Sequence, residues 1–336
     1  MPKTNSSFIL FLAQFYFQGE IQMIDIQYLL LLQNLRETTC GVFNEFFNGI
    51  SKVAVDVIFF LPFVIYWACD TVWGKRLMVS LFSGEFLNGV IKLSVCAYRP
   101  WIRSDLIEPA GDSKIAATGY SFPSGHTVHA TTIYGTTAIW QWKKRRWLGI
   151  LCIIGIALTG FSRNFLGVHT PQDVLVGCTE SLLLIFFIGK IQDYISDNEK
   201  KADLLSAIGT ILIAAALVYI KLKPYPMDYI DGKLLVDPQK MMVDCFKFSG
   251  ALLGFIAGTF LNRKKIRYEI PFAHKNLPVL TSVGTGILFS WKEFFAKATI
   301  IPVFGTQWGN LLAFFLMSIF GLIIWPIVIR KNTEQE

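Results

Sequence analysis

Apolar runs near or above the ~18–20 residues needed to cross a bilayer recur along this chain, and nothing constrains its fold more. They lie roughly at 51–70, 78–97, 124–141, 147–165, 172–190, 203–220, 245–262, 277–296 and 305–329. Only 16% of the 336 residues are charged and 53% are hydrophobic, whereas a soluble domain carries about 25% charged residues. The expected fold is therefore an all-α, polytopic transmembrane helical bundle of about nine spans. A soluble helical protein would need far more polar surface than this composition provides.

The formal net charge is +7. In a soluble chain that would raise nucleic acid as a partner. Here the basic residues sit in short loops instead. Lys75 and Arg76 follow the first run, "KKRR" (143–146) the third, "KIQDYISDNEKK" the fifth, "NRKKIRYEI" the seventh, and Arg330 with Lys331 the ninth. Every odd-numbered run ends in cations, which places those loops on the cytoplasmic side. The N-terminus is then expected outside and the C-terminus inside. The partners expected are the bilayer and a membrane substrate, with no nucleic acid.

Residues 1–50 divide into an N-terminal extension and an amphipathic stretch at 24–48, interrupted by Glu37 and Glu45, that suits the interface. "SSFILFLAQFYF" is short, lacks a strong basic start and does not match a signal peptide. Residues 51–192 hold the chemistry-bearing segments, and 193–336 add further spans to the same domain. The six cysteines are scattered without a C-x-x-C pair. They suggest neither a disulfide framework nor a metal site, and serve as small apolar side chains.

Three polar islands interrupt the apolar pattern, and the loop polarity puts all three at the non-cytoplasmic ends of their spans. In "KLSVCAYRP" (92–100), Lys92 and Arg99 are two helical turns apart and would share a face, with Pro100 ending the span. An intramembrane pair of cations facing one way marks a functional site. In "SFPSGHT" (121–127), Ser121 is a candidate cap and Pro123 suits a first turn. Ser124, Gly125 and His126 then fall where backbone N–H groups are unpaired and an anion is favoured. His129, one turn further on, fits a packed or pore-facing histidine. In "SRNFLGVHTPQD" (162–173), Thr170, Pro171 and Asp173 form a helix start with a capping-box-like acid. Asp173 can reach His169 and fix its tautomer, and Arg163 lies six residues upstream of that histidine. Three cations, two histidines, one carboxylate and an open helix start suit a transferring phosphoryl group, where positioning and charge stabilisation dominate. No metal and no cofactor is needed. Which histidine attacks is left open by the residues themselves.

The three-part pattern K-x6-R-P, P-S-G-H and S-R-x5-H-x3-D, complete and in order from Lys92 to Asp173, resembles the signature of the type 2 phosphatidic acid phosphatase superfamily. The nine-run layout is similar to its glucose-6-phosphatase and sphingosine-1-phosphate phosphatase branches. The resemblance implies an acid phosphatase/vanadium haloperoxidase-like core. It implies that His169 is the nucleophile, forming a phosphohistidine, that Asp173 orients it, and that His126 is the general acid for the leaving alcohol. Lys92, Arg99 and Arg163 would hold the phosphate oxygens, with Ser124 and the Gly125 backbone completing the pocket. Lipid phosphatases of the superfamily keep the acid at Asp173, whereas the glucose-6-phosphatase branch does not. The substrate implied is therefore a membrane lipid phosphate, with a polyprenyl pyrophosphate, a sugar phosphate or transfer to a lipid hydroxyl as alternatives. A transporter reusing the fold would not require this residue set. The sequence carries no signal for oligomeric state.

Overall fold

The structure, a computed structural model, describes residues 19–333 except 118, 197, 231 and 273. Most of the N-terminal extension, 1–22, lies outside the described residues. We label the main helices in chain order: α1 Gly19–Thr38, α2 Asn44–Ala68, α3 Thr71–Val95, α4 at 125–141, α5 Arg146–Phe165, α6 Pro171–Ile195, α7 Glu199–Leu222, α8 Pro238–Ile266, α9 at 277–304 and α10 Thr306–Thr333. A small antiparallel hairpin pairs β1 (Tyr229–Ile230) with β2 (Lys233–Leu234) between α7 and α8.

Seven of these helices are long and apolar enough to cross a membrane: α2, α3, α5, α6, α7, α8 and α10. The chain is thus a polytopic α-helical membrane protein. Two of the nine expected spans differ. The stretch at 124–141 is helical but short, and a π-helical turn at Thr131–Gly135 interrupts it. The stretch at 277–296 runs into a π-helical segment, Trp291–Ile300, that carries Lys292, Glu293 and Lys297. Their charges belong near water or in a protein-lined environment.

Side chains close the helix starts. Asp70 accepts from the backbone N–H of Val72 and Trp73 at 2.9 and 3.0 Å at the start of α3. Asn198 caps α7 and Asp237 caps α8. These bonds satisfy donors that the first helical turn leaves unpaired.

The core forms around α3. Phe63, Trp67, Leu77, Met78, Phe82 and Phe246 are buried there, supplied by α2, α3 and α8. Two glycines on α8 set its distance to α10. A Cβ on Gly250 would stand 2.0 Å from Leu311 O, and one on Gly254 would stand 2.5 Å from Phe315 O. Small residues four apart let two backbones touch, which is how helices gain packing energy where lipid supplies no hydrophobic drive. By contrast, α7 exposes Leu204, Ile211, Leu212 and Leu222, the surface of a helix bathed in acyl chains.

The stretch expected to be amphipathic, 24–48, holds most of α1 and enters the start of α2. Asp25, Leu29, Leu32 and Arg36 are buried at helical spacing, while Met23, Ile24, Leu31 and Leu35 are exposed. Arg36 Nη2 donates to Glu108 O at 2.6 Å, and Glu108 N donates to Gln33 Oε1 at 2.9 Å. So α1 lies against the loop that leads from α3 to α4.

Candidate active site

The three islands converge on one cavity of about 540 Å³. Lys92, Arg99, Gly125, His126, Arg163 and His169 all line it. Ser124 and Asp173 do not line the cavity; both are fully buried directly behind it.

Lys92 sits in the last turn of α3, where its Nζ donates to Ser121 O at 3.1 Å and also to Pro123 O. Asn88, one turn earlier, donates to the same Pro123 carbonyl at 3.3 Å. The cation thereby fixes the turn that carries the second island. The shared helical face expected for Lys92 and Arg99 is not what forms. Cys96 adopts a left-handed conformation (φ 55°) and ends α3 at Val95, so Pro100 instead opens a short helical turn, Pro100–Arg103. Arg99 precedes it in an extended conformation, with Nε donating to Gly119 O at 3.1 Å and Nη1 to Val168 O at 2.9 Å. Leaving the helix is what lets Arg99 reach across to the third island.

The expected cap is also displaced. Ser124, not Ser121, occupies the N-cap position of α4, and no side chain caps it. The Ser124 hydroxyl accepts from Thr127 Oγ1 at 2.9 Å, and its N–H donates to Asp173 O at 2.9 Å. The early N–H groups of α4 therefore face the cavity without a side-chain cap, a setting that favours an anion. A Cβ on Gly125 would stand 3.5 Å from Asn88 Oδ1 and 3.9 Å from Lys92 Cε, on the cavity side. His126 makes no side-chain hydrogen bond among the described residues and lines the cavity. His129 turns away, with Nδ1 2.8 Å from Glu85 Oε1.

His169 stands just before α6 and is 2% exposed. Its Nε2 lies 2.8 Å from Arg99 Nη1. A guanidinium only donates, so Nε2 carries the lone pair and the proton resides on Nδ1. Nδ1 then donates to Asp173 Oδ2 at 3.2 Å. The same Oδ2 accepts from Ser121 Oγ at 2.6 Å and from Thr170 N at 2.8 Å. Asp173 N in turn donates to Thr170 Oγ1 at 3.3 Å, completing a capping box. Burial first, then the cations Arg99, Lys92 and Arg163, hold the His169 imidazole well below its ordinary range. In this tautomer the Nε2 lone pair meets Arg99, which itself lines the cavity.

Arg163, in the last turn of α5, also lines the cavity, and its Nη1 donates to Ser51 Oγ at 2.5 Å. Asn164 Nδ2 donates to His169 O at 2.9 Å and fixes the histidine's backbone. Ser51, Asn164 and the hydroxyl of Ser121 are functional contacts that sequence reasoning missed. Ser51 is 112 residues from Arg163, so no local spacing could have revealed it. Asn164 lies within a quoted island, and its proximity to His169 was an available signal.

Three cations, an uncapped helix start and a neutral imidazole held by a carboxylate can bind a tetrahedral oxyanion and attack its central atom. The chain is similar to several known phosphatases. The model of the PAP2 superfamily matches residues 73–197. Phosphatidylglycerophosphatase B of Bacillus subtilis (strain 168) is 29% identical over 171 residues, covering 47% of this chain and 79% of that protein. Lipid phosphate phosphatase delta of Arabidopsis thaliana is 24% identical over 203 residues, 55% of this chain and 48% of that one. Undecaprenyl-diphosphatase of Sulfolobus acidocaldarius is 32% identical over 104 residues, 31% of this chain and 48% of that one. The chain therefore spans about half the length of the latter two. Among solved structures, the crystal structure of the first transmembrane PAP2 type phosphatidylglycerolphosphate phosphatase from Bacillus subtilis aligns with a TM-score of 0.47 at 25% identity, over 57% of this chain and 96% of that one.

Proposed function

With residues 73–197 forming a PAP2 superfamily domain, we propose that the protein is an integral-membrane, metal-independent phosphatase that hydrolyses a lipid phosphate monoester. The observation that carries this reading is the His169 imidazole, whose Nδ1 pairs with Asp173 on one side and whose Nε2 faces Arg99 in the cation cluster on the other.

In the proposed reaction the phosphate enters the cavity and takes Arg99 Nη1 as a donor, which frees His169 Nε2. Lys92, Arg99 and Arg163 hold its oxygens, joined by the Gly125 backbone at the start of α4, while Ser124 supports that turn from behind. Nε2 attacks phosphorus, and the bond from phosphorus to the lipid oxygen breaks. His126 donates its proton to that oxygen, releasing the lipid alcohol. Asp173 stabilises the positive charge on the phosphorylated imidazole. Water then attacks phosphorus, with His126 taking its proton, and phosphate leaves while His169 regains its lone pair. The site faces the non-cytoplasmic side in this reading, following the basic loops at the other ends of the helices.

Phosphate release from phosphatidate, phosphatidylglycerol phosphate, sphingosine-1-phosphate, undecaprenyl diphosphate and glucose-6-phosphate, measured with purified protein in mild detergent, tests the proposal. Release from a lipid is expected without added metal, with ¹⁸O from water in the phosphate and an acid-labile label trapped on His169. His169→Ala should reduce turnover to background. Substantial activity in folded His169→Ala protein would sink the nucleophile assignment. Absence of ¹⁸O would indicate transfer to another acceptor instead.

A further inference from the structure

The cavity extends well beyond the phosphate cradle, and its far wall comes from the C-terminal half, outside the PAP2 domain. Leu234, Val236, Asp237, Lys240, Met241 and Asp244 line it. Four of these, Asp237, Lys240, Met241 and Asp244, present one helical face at the start of α8. The wall is tied firmly to the catalytic half. Lys223 Nζ donates to Leu93 O and, at 3.2 Å, to Ser94 O, and Tyr98 OH donates to Asp228 Oδ2. Met241 packs where a Cβ on Gly119 (φ +84°) would fall, 1.8 Å from its sulfur.

The charges on this wall are unequally engaged. Asp237 Oδ1 accepts from Gln239 N at 2.9 Å and from Lys240 N at 3.4 Å, so its charge serves the helix start. Asp244 pairs with Lys247 at 2.9 Å. Lys240 and, from the loop between α3 and α4, Lys114 also line the cavity. Neither ammonium meets a carboxylate among the described residues. A ligand reaching past Lys92, Arg99 and Arg163 therefore meets two further cations that pair with no carboxylate among the described residues, on a wall that also carries Asp237 and Asp244.

We propose that Lys240, assisted by Lys114, forms a second anion subsite that selects lipids carrying another phosphate group beside the scissile one. This deepens the phosphatase reading and rests on it for the identity of the scissile group. The chemistry recognised is a second phosphate, either as a phosphodiester in the headgroup or as the inner phosphate of a diphosphate. A lipid with one phosphate and an uncharged remainder leaves the subsite empty.

Two measurements on the full-length protein in neutral detergent test this. In the first, kcat/KM is compared for phosphatidylglycerol phosphate, a polyprenyl diphosphate and phosphatidate. Lys240→Ala should lower the value about tenfold for at least one doubly phosphorylated lipid, through KM, and by less than about threefold for phosphatidate. Lys240→Arg should retain most of the preference. The lipid whose turnover falls identifies the source of the second phosphate. Equal losses on all three lipids, or no loss, would overturn the subsite. In the second, binding of orthophosphate, inorganic pyrophosphate and glycerol-1,3-bisphosphate is followed through the fluorescence of Trp101, which lines the same cavity. At least one of the two doubly phosphorylated probes should bind about tenfold more tightly than orthophosphate, and Lys240→Ala should erase the difference. A preference that survives Lys240→Ala, or no preference at all, rejects the subsite. A preference that depends on Lys240 while no lipid releases phosphate would support the subsite and reject the hydrolase reading alone.

Discussion

One carboxylate oxygen joins the contacts that set the tautomer of His169, the proposed nucleophile. Asp173 Oδ2 accepts from Ser121, from the Thr170 backbone and from His169 Nδ1. An amide in its place would keep an oxygen for the first two but lose the charge that stabilises a positive imidazole. Asp173→Asn should therefore leave the helix start intact and lower kcat by about 10²-fold or more, by analogy with neutral replacements in other histidine–carboxylate pairs. Thermal unfolding beside kcat separates the two effects, and a kcat within about threefold of wild type would refute the role of the charge. The pH dependence follows from His169 itself. Its imidazole is held well below 6.5, so the attacking neutral form persists below the ordinary histidine range. As pH falls, protonation and loss of activity begin only near that depressed value. The acid limb of kcat/KM should thus lie below the ordinary histidine range, and a limb centred at 6.5 or above would contradict it. The eight candidate site residues were legible because their types and spacings are local in sequence. Ser51, which holds Arg163, was not legible, because the contact is made by folding.

The helix ends, more than the helices, decide what the site residues can touch. The sequence pattern suggests that α3 continues to Pro100, and a continuous helix would keep Arg99 on the same face as Lys92. A left-handed residue at Cys96 is not encoded by any glycine or asparagine there, so the early stop had no compositional signal. It is this stop that brings Arg99 to His169. The apolar periodicity of α1 was legible as an amphipathic face, whereas its docking against the loop at 104–110 was not. Asp25, near the start of α1, is buried, and burial, opposed by Arg103 and reinforced by Asp173, raises its carboxyl from 3.8 to about 6. The unfolded chain ionises near 3.8, so the folded state loses stability as pH rises from there through about 6, and the loss is complete above it. Asp25→Asn removes a cost on the order of 2 kcal/mol. The midpoint of thermal unfolding in detergent should rise by a few degrees at pH 8 and change little at pH 4. A gain that is equal at both pH values, or absent at pH 8, would count against a buried charge there.

Across the whole molecule, the candidate site residues and the far wall of the cavity they line come from different halves of the chain. The spans after residue 193 were legible as apolar runs, but nothing in their sequence announced that the segment from 223 to 244 closes over the site. The connection depends on a few polar ties between distant segments. Lys223 satisfies carbonyls at the C-terminal end of α3, where the last turn leaves acceptors unpaired and the dipole favours a cation. Tyr98, only one residue before Arg99, holds Asp228. Loosening these ties should disturb headgroup binding while sparing the phosphate cradle, whose own hydrogen bonds run among Ser51 and residues 88–173. A Lys223→Met, Tyr98→Phe double variant should raise KM for a lipid phosphate about three- to tenfold, in line with the loss of one charge-assisted hydrogen bond. Its kcat/KM for p-nitrophenyl phosphate, which needs only the cradle, should stay within about twofold of wild type. A matching fall on both substrates would mean that the ties support the cradle itself, and that the far wall is not a separate determinant of which lipid is accepted.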